Sequence, residues 1–178
     1  IAAAGGGKTA AQANATLLDH GTLHVARFDA DGSGRWLPLV HGQGPLTATN
    51  GFADQGEVLI KSRQASDRLG ATKMDRPEWL AIDPERREIY CTLTNNDRRG
   101  TTTASVNKAD GSTTAASARP PVDTANPPED NRYGHIIRWR EAGRSVRATT
   151  FAWDIFAQAG DIVTAKAPHP SGTNNYKG

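Results

Sequence analysis

Residues 71–100 read ATKMDRPEWLAIDPERREIYCTLTNNDRRG, and the way this stretch folds decides how the rest of the chain is understood. Trp79-Leu80-Ala81-Ile82 predicts a short buried strand, Asp83-Pro84-Glu85-Arg86 a turn, and Glu88 to Thr94 a returning strand with period-two alternation. A β-hairpin results. Arg76 and Glu78 stand at its mouth on either side of Pro77, and residues two apart in an extended segment leave the same side of the chain. A guanidinium and a carboxylate would then face one site. A carboxylate ligates hard cations, and an Arg grips a phosphate through paired hydrogen bonds. The competing reading is a surface ion pair of little energetic consequence.

Working outward, residues 54–69 predict the one inserted helix, with Val58, Leu59, Ala65 and Leu69 on an apolar stripe, Glu57 four residues before Lys61, and Gly70 placed to end it. Before it, Thr22 to Phe28 and Arg35 to Leu39 predict a hairpin turning at Asp29-Ala30-Asp31-Gly32. Those aspartates resemble the front of a calcium loop, but the twelfth position, where a bidentate Glu is needed, is Val40. After the opening stretch, residues 97–131 are rich in Thr, Ala, Ser, Pro and Gly and predict a long inserted loop. A third hairpin follows, from Tyr133 to Arg140 and from Ala148 to Phe156 about a turn at residues 141–144. Residues 1–16 predict a low-complexity linker and residues 162–178 a Pro/Gly-rich loop or tail. Gly5-Gly6-Gly7-Lys8-Thr9 holds only a fragment of a phosphate-binding loop, without the first glycine or a preceding strand. His20 and His24 share a face at strand spacing but have no third ligand nearby in sequence. The sum is an all-β chain, a partial β-propeller over residues 17–161 with about three blade-like hairpins.

Composition narrows the function classes. The 21 basic and 19 acidic residues are interspersed, with no basic run or stripe, which argues against nucleic-acid binding. No apolar run is long enough to span a bilayer as a helix. The single cysteine, Cys91, excludes an internal disulfide and a cysteine-only zinc site, and inside a strand it reads as a small buried hydrophobe.

Six segments carry a resemblance: LLDHGTLHVARFDADGSGRWLPL (17–39), NGFADQGEVLI (50–60), ATKMDRPEWLAIDP (71–84), IYCTLTNN (89–96), NRYGHIIRWREAG (131–143) and FAWDIFAQAGD (151–161). In this order they resemble the PhoX-type alkaline phosphatases. The resemblance implies an exported bacterial enzyme, periplasmic or secreted, with a β-propeller fold that hydrolyses phosphomonoesters using calcium and iron. Carried over residue by residue, it makes Glu78 a metal ligand and Arg76 a phosphate-contacting catalytic residue. Asn95 and Asn96 are weaker candidates to line the same pocket, against a plain reading as strand-ending turn residues. The family uses further ligands, including a cysteine upstream of the matched region, a role that Cys91 does not take. One carboxylate and one Arg do not hold a multinuclear cluster, so the segment alone is expected to be inactive, with the remainder of its propeller as its partner. The alternative is a non-catalytic propeller segment acting as a binding or structural module.

Overall fold

The computed structural model describes residues 9–16, 19–96, 98–100, 102–103, 106–107, 113–114, 117–127, 131 and 133–160. The tail expected at 162–178 and most of the linker expected at 1–16 lie outside them. The chain divides into two units, residues 1–25 with 37–70, and residues 26–36 with 71–178.

In the first unit, α1 (Ala10–Asn14) forms where only linker was expected. A capping box explains it: the Thr9 hydroxyl accepts the Gln12 N–H while the Gln12 side chain accepts the Thr9 N–H. The inserted helix is broken at Lys61 into α2 (Gln55–Ile60) and α3 (Ser62–Leu69). Asp54 caps it by accepting the Glu57 N–H at 2.8 Å, and Gly70 ends it in the left-handed conformation that glycine adopts without strain. Val58 and Ala65 are buried with Leu39, Leu46 and Phe52, and Val25 and Leu69 pack against them. Leu59, expected on the stripe, is largely exposed: it lies about 100° round the helix from Val58, outside so narrow a face.

The second unit is built on a sheet. Its strands are β1 (His24–Phe28), β2 (Ser33–Pro38), β3 (Pro77–Asp83) and β4 (Glu88–Leu93), then two-residue strands β5 (Thr102–Thr103), β6 (Val106–Asn107), β7 (Thr113–Thr114) and β8 (Ser117–Ala118), and finally β9 (His135–Glu141) and β10 (Thr150–Gln158). Six of them form one sheet in the order β1-β2-β10-β9-β4-β3. The all-β, partial-propeller reading holds, and all three expected hairpins are present. They belong to one continuous sheet, with the third hairpin inserted between the other two.

Aromatic side chains alternate inward along these strands and make the core. Trp139, Phe151 and Trp153 are buried with Ile137, Ile155, Cys91 and Leu93, and Phe28 and Trp36 pack against them. Phe28 meets the rings of Phe151 and Trp153 edge-on at 5.0 and 5.2 Å, contacts that contribute about 0.5–1.5 kcal/mol each beyond burial. Trp153 Nε1 donates to the carbonyls of Asp29 and Ser33, which ties the first turn to the core. That turn is a plain one, as expected: Gly32 takes φ +84° and the Asp31 carboxylate accepts the Ser33 N–H and hydroxyl. Cys91 is buried as expected, and burial pushes its thiol up.

Two expectations about the central stretch are corrected. Trp79, Leu80 and Ile82, read as a buried strand, are 78%, 65% and 69% exposed. The reason is position: β3 is the sheet's edge, paired only with β4, and none of the described core residues lies over it. Within 97–131, expected to be a long inserted loop, the described residues include four two-residue strands. β5 pairs with β8 and β6 with β7, and Arg99, Ala125 and Asn126 nearby in sequence are buried.

Candidate functional site

One row of residues crosses an end of the sheet. Pro77 pairs with Leu93, Leu93 with His135, and His135 with Gln158, while the next row runs Trp79, Thr92, Ile136, Ala157. Between these two rows the register shifts twice, once on β3 between Pro77 and Trp79 and once on β10 between Ile155 and Ala157. Glu78 and Phe156 are the extra residues. A bulge re-aims the side chains beyond it, and two at one sheet end make this end unlike the regular rest.

Arg76 stands just outside the row with φ +45°, in the left-handed region that non-glycine residues rarely occupy. Such a backbone costs on the order of 1–3 kcal/mol and persists only where its surroundings hold it. Here the Thr94 N–H donates to the Arg76 carbonyl at 3.3 Å, and the Arg76 guanidinium donates to Asn95 Oδ1 at 3.2 Å. The extended geometry expected for Arg76-Pro77-Glu78 is therefore replaced by a left-handed residue followed by a bulge. Glu78 is exposed, and no hydrogen bond or ion pair engages its carboxylate among the described residues.

Beneath Arg76 lies a buried polar knot that sequence reasoning missed. Asp75 is fully buried, and its Oδ1 accepts from Arg99 Nε and from Asn96 Nδ2, both at 2.6 Å. Arg99 also donates to the carbonyls of Lys73 and Pro121. Asn126 accepts the Asp75 N–H at 2.8 Å and donates to the Lys73 carbonyl. Asp123 holds Asn126 through an Asx turn, accepting the N–H groups of Ala125 and Asn126. Asn95 and Asn96 thus diverge. Asn95 reaches Arg76, while Asn96 fixes the strand-loop junction through Asp75, Asn131 and Arg98. The Asx pattern at Asp123 was the one local signal in the sequence, because Asp75, Arg99 and Asn126 are separated by 24 and 51 residues.

His135, also missed, is buried in the end row. Its Nε2 donates to the Ala125 carbonyl at 2.8 Å, and its Nδ1 faces Asn131 Nδ2 at 3.0 Å, a pairing that requires the neutral ring. Burial pushes its pKa below the usual histidine value, more than the Ala125 carbonyl raises it. Asn131 Oδ1 accepts the Gly134 N–H. Gly134, at φ +82°, sits against the Leu93 carbonyl so closely that a Cβ would clash.

The match between this donor set and a metal centre is partial. No group of three or more His, Cys, Asp or Glu is placed to hold a metal ion among the described residues. Glu78, an exposed and unpartnered carboxylate, is a single hard-oxygen donor of the sort calcium accepts. The described residues do not make a calcium and iron cluster by themselves.

The sheet end therefore carries a strained Arg and, two residues on, a carboxylate that no described residue engages. The family model for alkaline phosphatase PhoX matches residues 3–177, and the chain belongs to that family. Among solved structures it is similar to Pseudomonas fluorescens PhoX in complex with vanadate, a transition state analogue, with 45% identity and a TM-score of 0.74. The match covers 92% of this chain and 27% of that one. No curated protein matches the chain. Among the described residues, no helix is long and apolar enough to cross a membrane.

Proposed function

We propose that the chain supplies one wall of the active site of a phosphomonoesterase, with Arg76 contacting the phosphate and Glu78 ligating a metal. The observation that carries this is Arg76 itself, kept at φ +45° by Thr94 and Asn95 beside an unpartnered carboxylate, in a chain of the PhoX family. Strain of this kind is retained where preorganisation is useful. A guanidinium held in place donates to phosphoryl oxygens as charge spreads over them, without reorganising at the moment of reaction. Asn95 orients that guanidinium, and Asn96, through Asp75, fixes the backbone from which it extends. Calcium and iron, expected from the family, would polarise a phosphoryl oxygen or lower the pKa of bound water. Glu78 would provide one ligand, and the others would come from elsewhere in the protein.

The partner of this wall is the remainder of the propeller. The exposed Trp79, Leu80 and Ile82 on edge strand β3 favour that reading, because such a row left bare would invite aggregation. The protein is proposed to work outside the cytoplasm, in the periplasm or secreted, as the family resemblance implies.

The test is hydrolysis of an aryl phosphate with added calcium and iron by the protein expressed from its full reading frame. Glu78→Gln is expected to lose at least about a hundredfold in kcat/KM. Undiminished activity would remove Glu78 from the metal site. An inactive wild type would leave the non-catalytic propeller segment as the reading.

A further inference from the structure

Asn95 accepts from the Arg76 guanidinium, and the backbone on either side of Asn95 is itself tied down. Before it, the Thr94 N–H donates to the Arg76 carbonyl at 3.3 Å. After it, the Asn96 N–H donates to the Asn131 carbonyl at 2.7 Å. Asn131 is buried, and its Oδ1 accepts the Gly134 N–H at 2.9 Å, which turns its Nδ2 toward His135 Nδ1 at 3.0 Å. His135 in turn donates from Nε2 to the Ala125 carbonyl at 2.8 Å. A path of hydrogen bonds therefore runs from the buried imidazole, through Asn131, to the residue beside Asn95.

Each group on that path has one role open to it. The Asn131 amide cannot turn over, because its nitrogen would then meet the Gly134 N–H donor to donor. His135 Nδ1 must accept, and a proton there would set two donors face to face. The turn cannot move aside to relieve them. Gly134 stands at φ +82° with its α-carbon pressed on β4, where an added Cβ would lie 2.4 Å from the Leu93 carbonyl oxygen.

The surroundings favour the neutral ring. β4 and β10 set uncharged Leu93 and Gln158 opposite His135. The charged groups that face it are Asp75 and Asp123, which favour its protonation, and Arg99, which opposes it. Burial outweighs the carboxylates and the Ala125 carbonyl together, so the charged ring is disfavoured.

We infer that Asn131 and His135 are positioning residues for Arg76, holding Asn95 against the guanidinium only while the imidazole is neutral. This rests on the phosphatase reading above. Neither residue is asked to touch the substrate. A proton on His135 breaks the bond to Asn131 Nδ2 and loosens the backbone that carries Asn95, and the guanidinium loses its set direction toward the phosphoryl oxygens. Phosphate transfer then weakens on acidification through a side chain that takes no proton from the substrate.

The experiment reads kcat/KM for an aryl phosphate across pH 5–8, on the protein from its full reading frame, as the ratio of wild type to His135→Gln. Glutamine accepts from Asn131 and donates to Ala125 without titrating, and the substrate phosphate titrates alike with both proteins, so the ratio isolates the imidazole. It should stay near one above about pH 7 and fall about threefold to tenfold as the pH drops below about 6.5. With Asn95→Ala in both proteins the path to Arg76 is cut, and the ratio should stay flat. A flat ratio with Asn95 intact would overturn the assignment, and so would an equal fall in the Asn95→Ala pair, which is what a purely structural histidine gives. Asn131→Asp tests the same device without touching His135. Its carboxylate still accepts from Gly134 but prefers the protonated ring, so its loss against wild type should be largest above about pH 7 and shrink on acidification. The opposite trend would count against the path. Calorimetric binding of inorganic phosphate separates this inference from the reading it rests on. If wild type hydrolyses no aryl phosphate, the phosphatase reading fails. Phosphate affinity that follows the same ratios then upholds the positioning role, and affinity that ignores them, or no binding at all, overturns it.

Discussion

Asp75 and Arg76 are neighbours in the chain with opposite surroundings. Asp75 is fully buried, its Oδ1 shared by Arg99 and Asn96 and its N–H donated to Asn126. Arg76 is exposed in a strained backbone with one side-chain partner, and Glu78 two residues on has none among the described residues. Ionic groups therefore serve two purposes within four residues. The buried set ties Arg99, Pro121 and Asn126 to the sheet end, and the exposed set has Asn95 as its one side-chain partner among the described residues. A buried charge is tolerated only when paired, and a reactive one works only when it is not already occupied.

The contrast breaks most sharply at Arg99. Arg99→Leu leaves the Asp75 carboxylate buried without its cation and is expected to cost about 3–5 kcal/mol, measured by urea unfolding. A cost under about 1 kcal/mol would mean that the Asp75–Arg99 pair does not hold this end of the sheet.

Arg76→Gly should behave the other way. Aryl phosphatase kcat/KM should fall about 10²–10³-fold as the phosphate loses its guanidinium. Stability should hold or rise by up to about 1 kcal/mol, because glycine takes φ +45° without strain. A destabilised but fully active variant would reverse the roles assigned to Arg76 and Asp75.

His135 gives the contrast a pH dependence. Its folded pKa is depressed, so its contribution is fully present above the unfolded value of about 6.5 and is lost as pH falls toward the folded pKa. In that window the unfolded state binds the proton first. Stability should decline on acidification below about pH 6.5, by at most about 1.4 kcal/mol per pH unit from this residue. Chemical denaturation of wild type and His135→Gln across pH 5–8 checks it, and equal slopes would remove His135 as the cause.

The smallest expected change is in the stability of Glu78→Gln, within about 0.5 kcal/mol of wild type by thermal unfolding, since nothing among the described residues holds the carboxylate. Asp75→Asn, equally conservative in shape, should cost several times more because it weakens two short charge-assisted hydrogen bonds. Equal costs would erase the distinction between the two carboxylates.

Much of the architecture was legible locally. Alternation in Glu88–Leu93 and His135–Glu141, the Asp-Gly turn at residues 31 and 32, and Gly70 after Leu69 each encode a strand, a turn or a helix end through a few adjacent residues. Arg76 and Glu78 stand out in the sequence through a short motif, and their roles are proposals. Two features were not legible. Whether Trp79-Leu80-Ala81-Ile82 is buried depends on β3 lying at the sheet edge, and strand order is not written in the strand. The partner of Asp75 stands 24 residues away, beyond any local pattern.

The amino-acid sequence by itself determined the three hairpins and the chemical types offered at the hairpin mouth, because backbone propensity and side-chain period act over a few residues. Tertiary structure alone decided the Asp75–Arg99 knot, the left-handed Arg76 and the burial of Gln158. Each depends on register: a one-residue bulge on β10 moves a carboxamide from one face of the sheet to the other, and register is set only when strands pair.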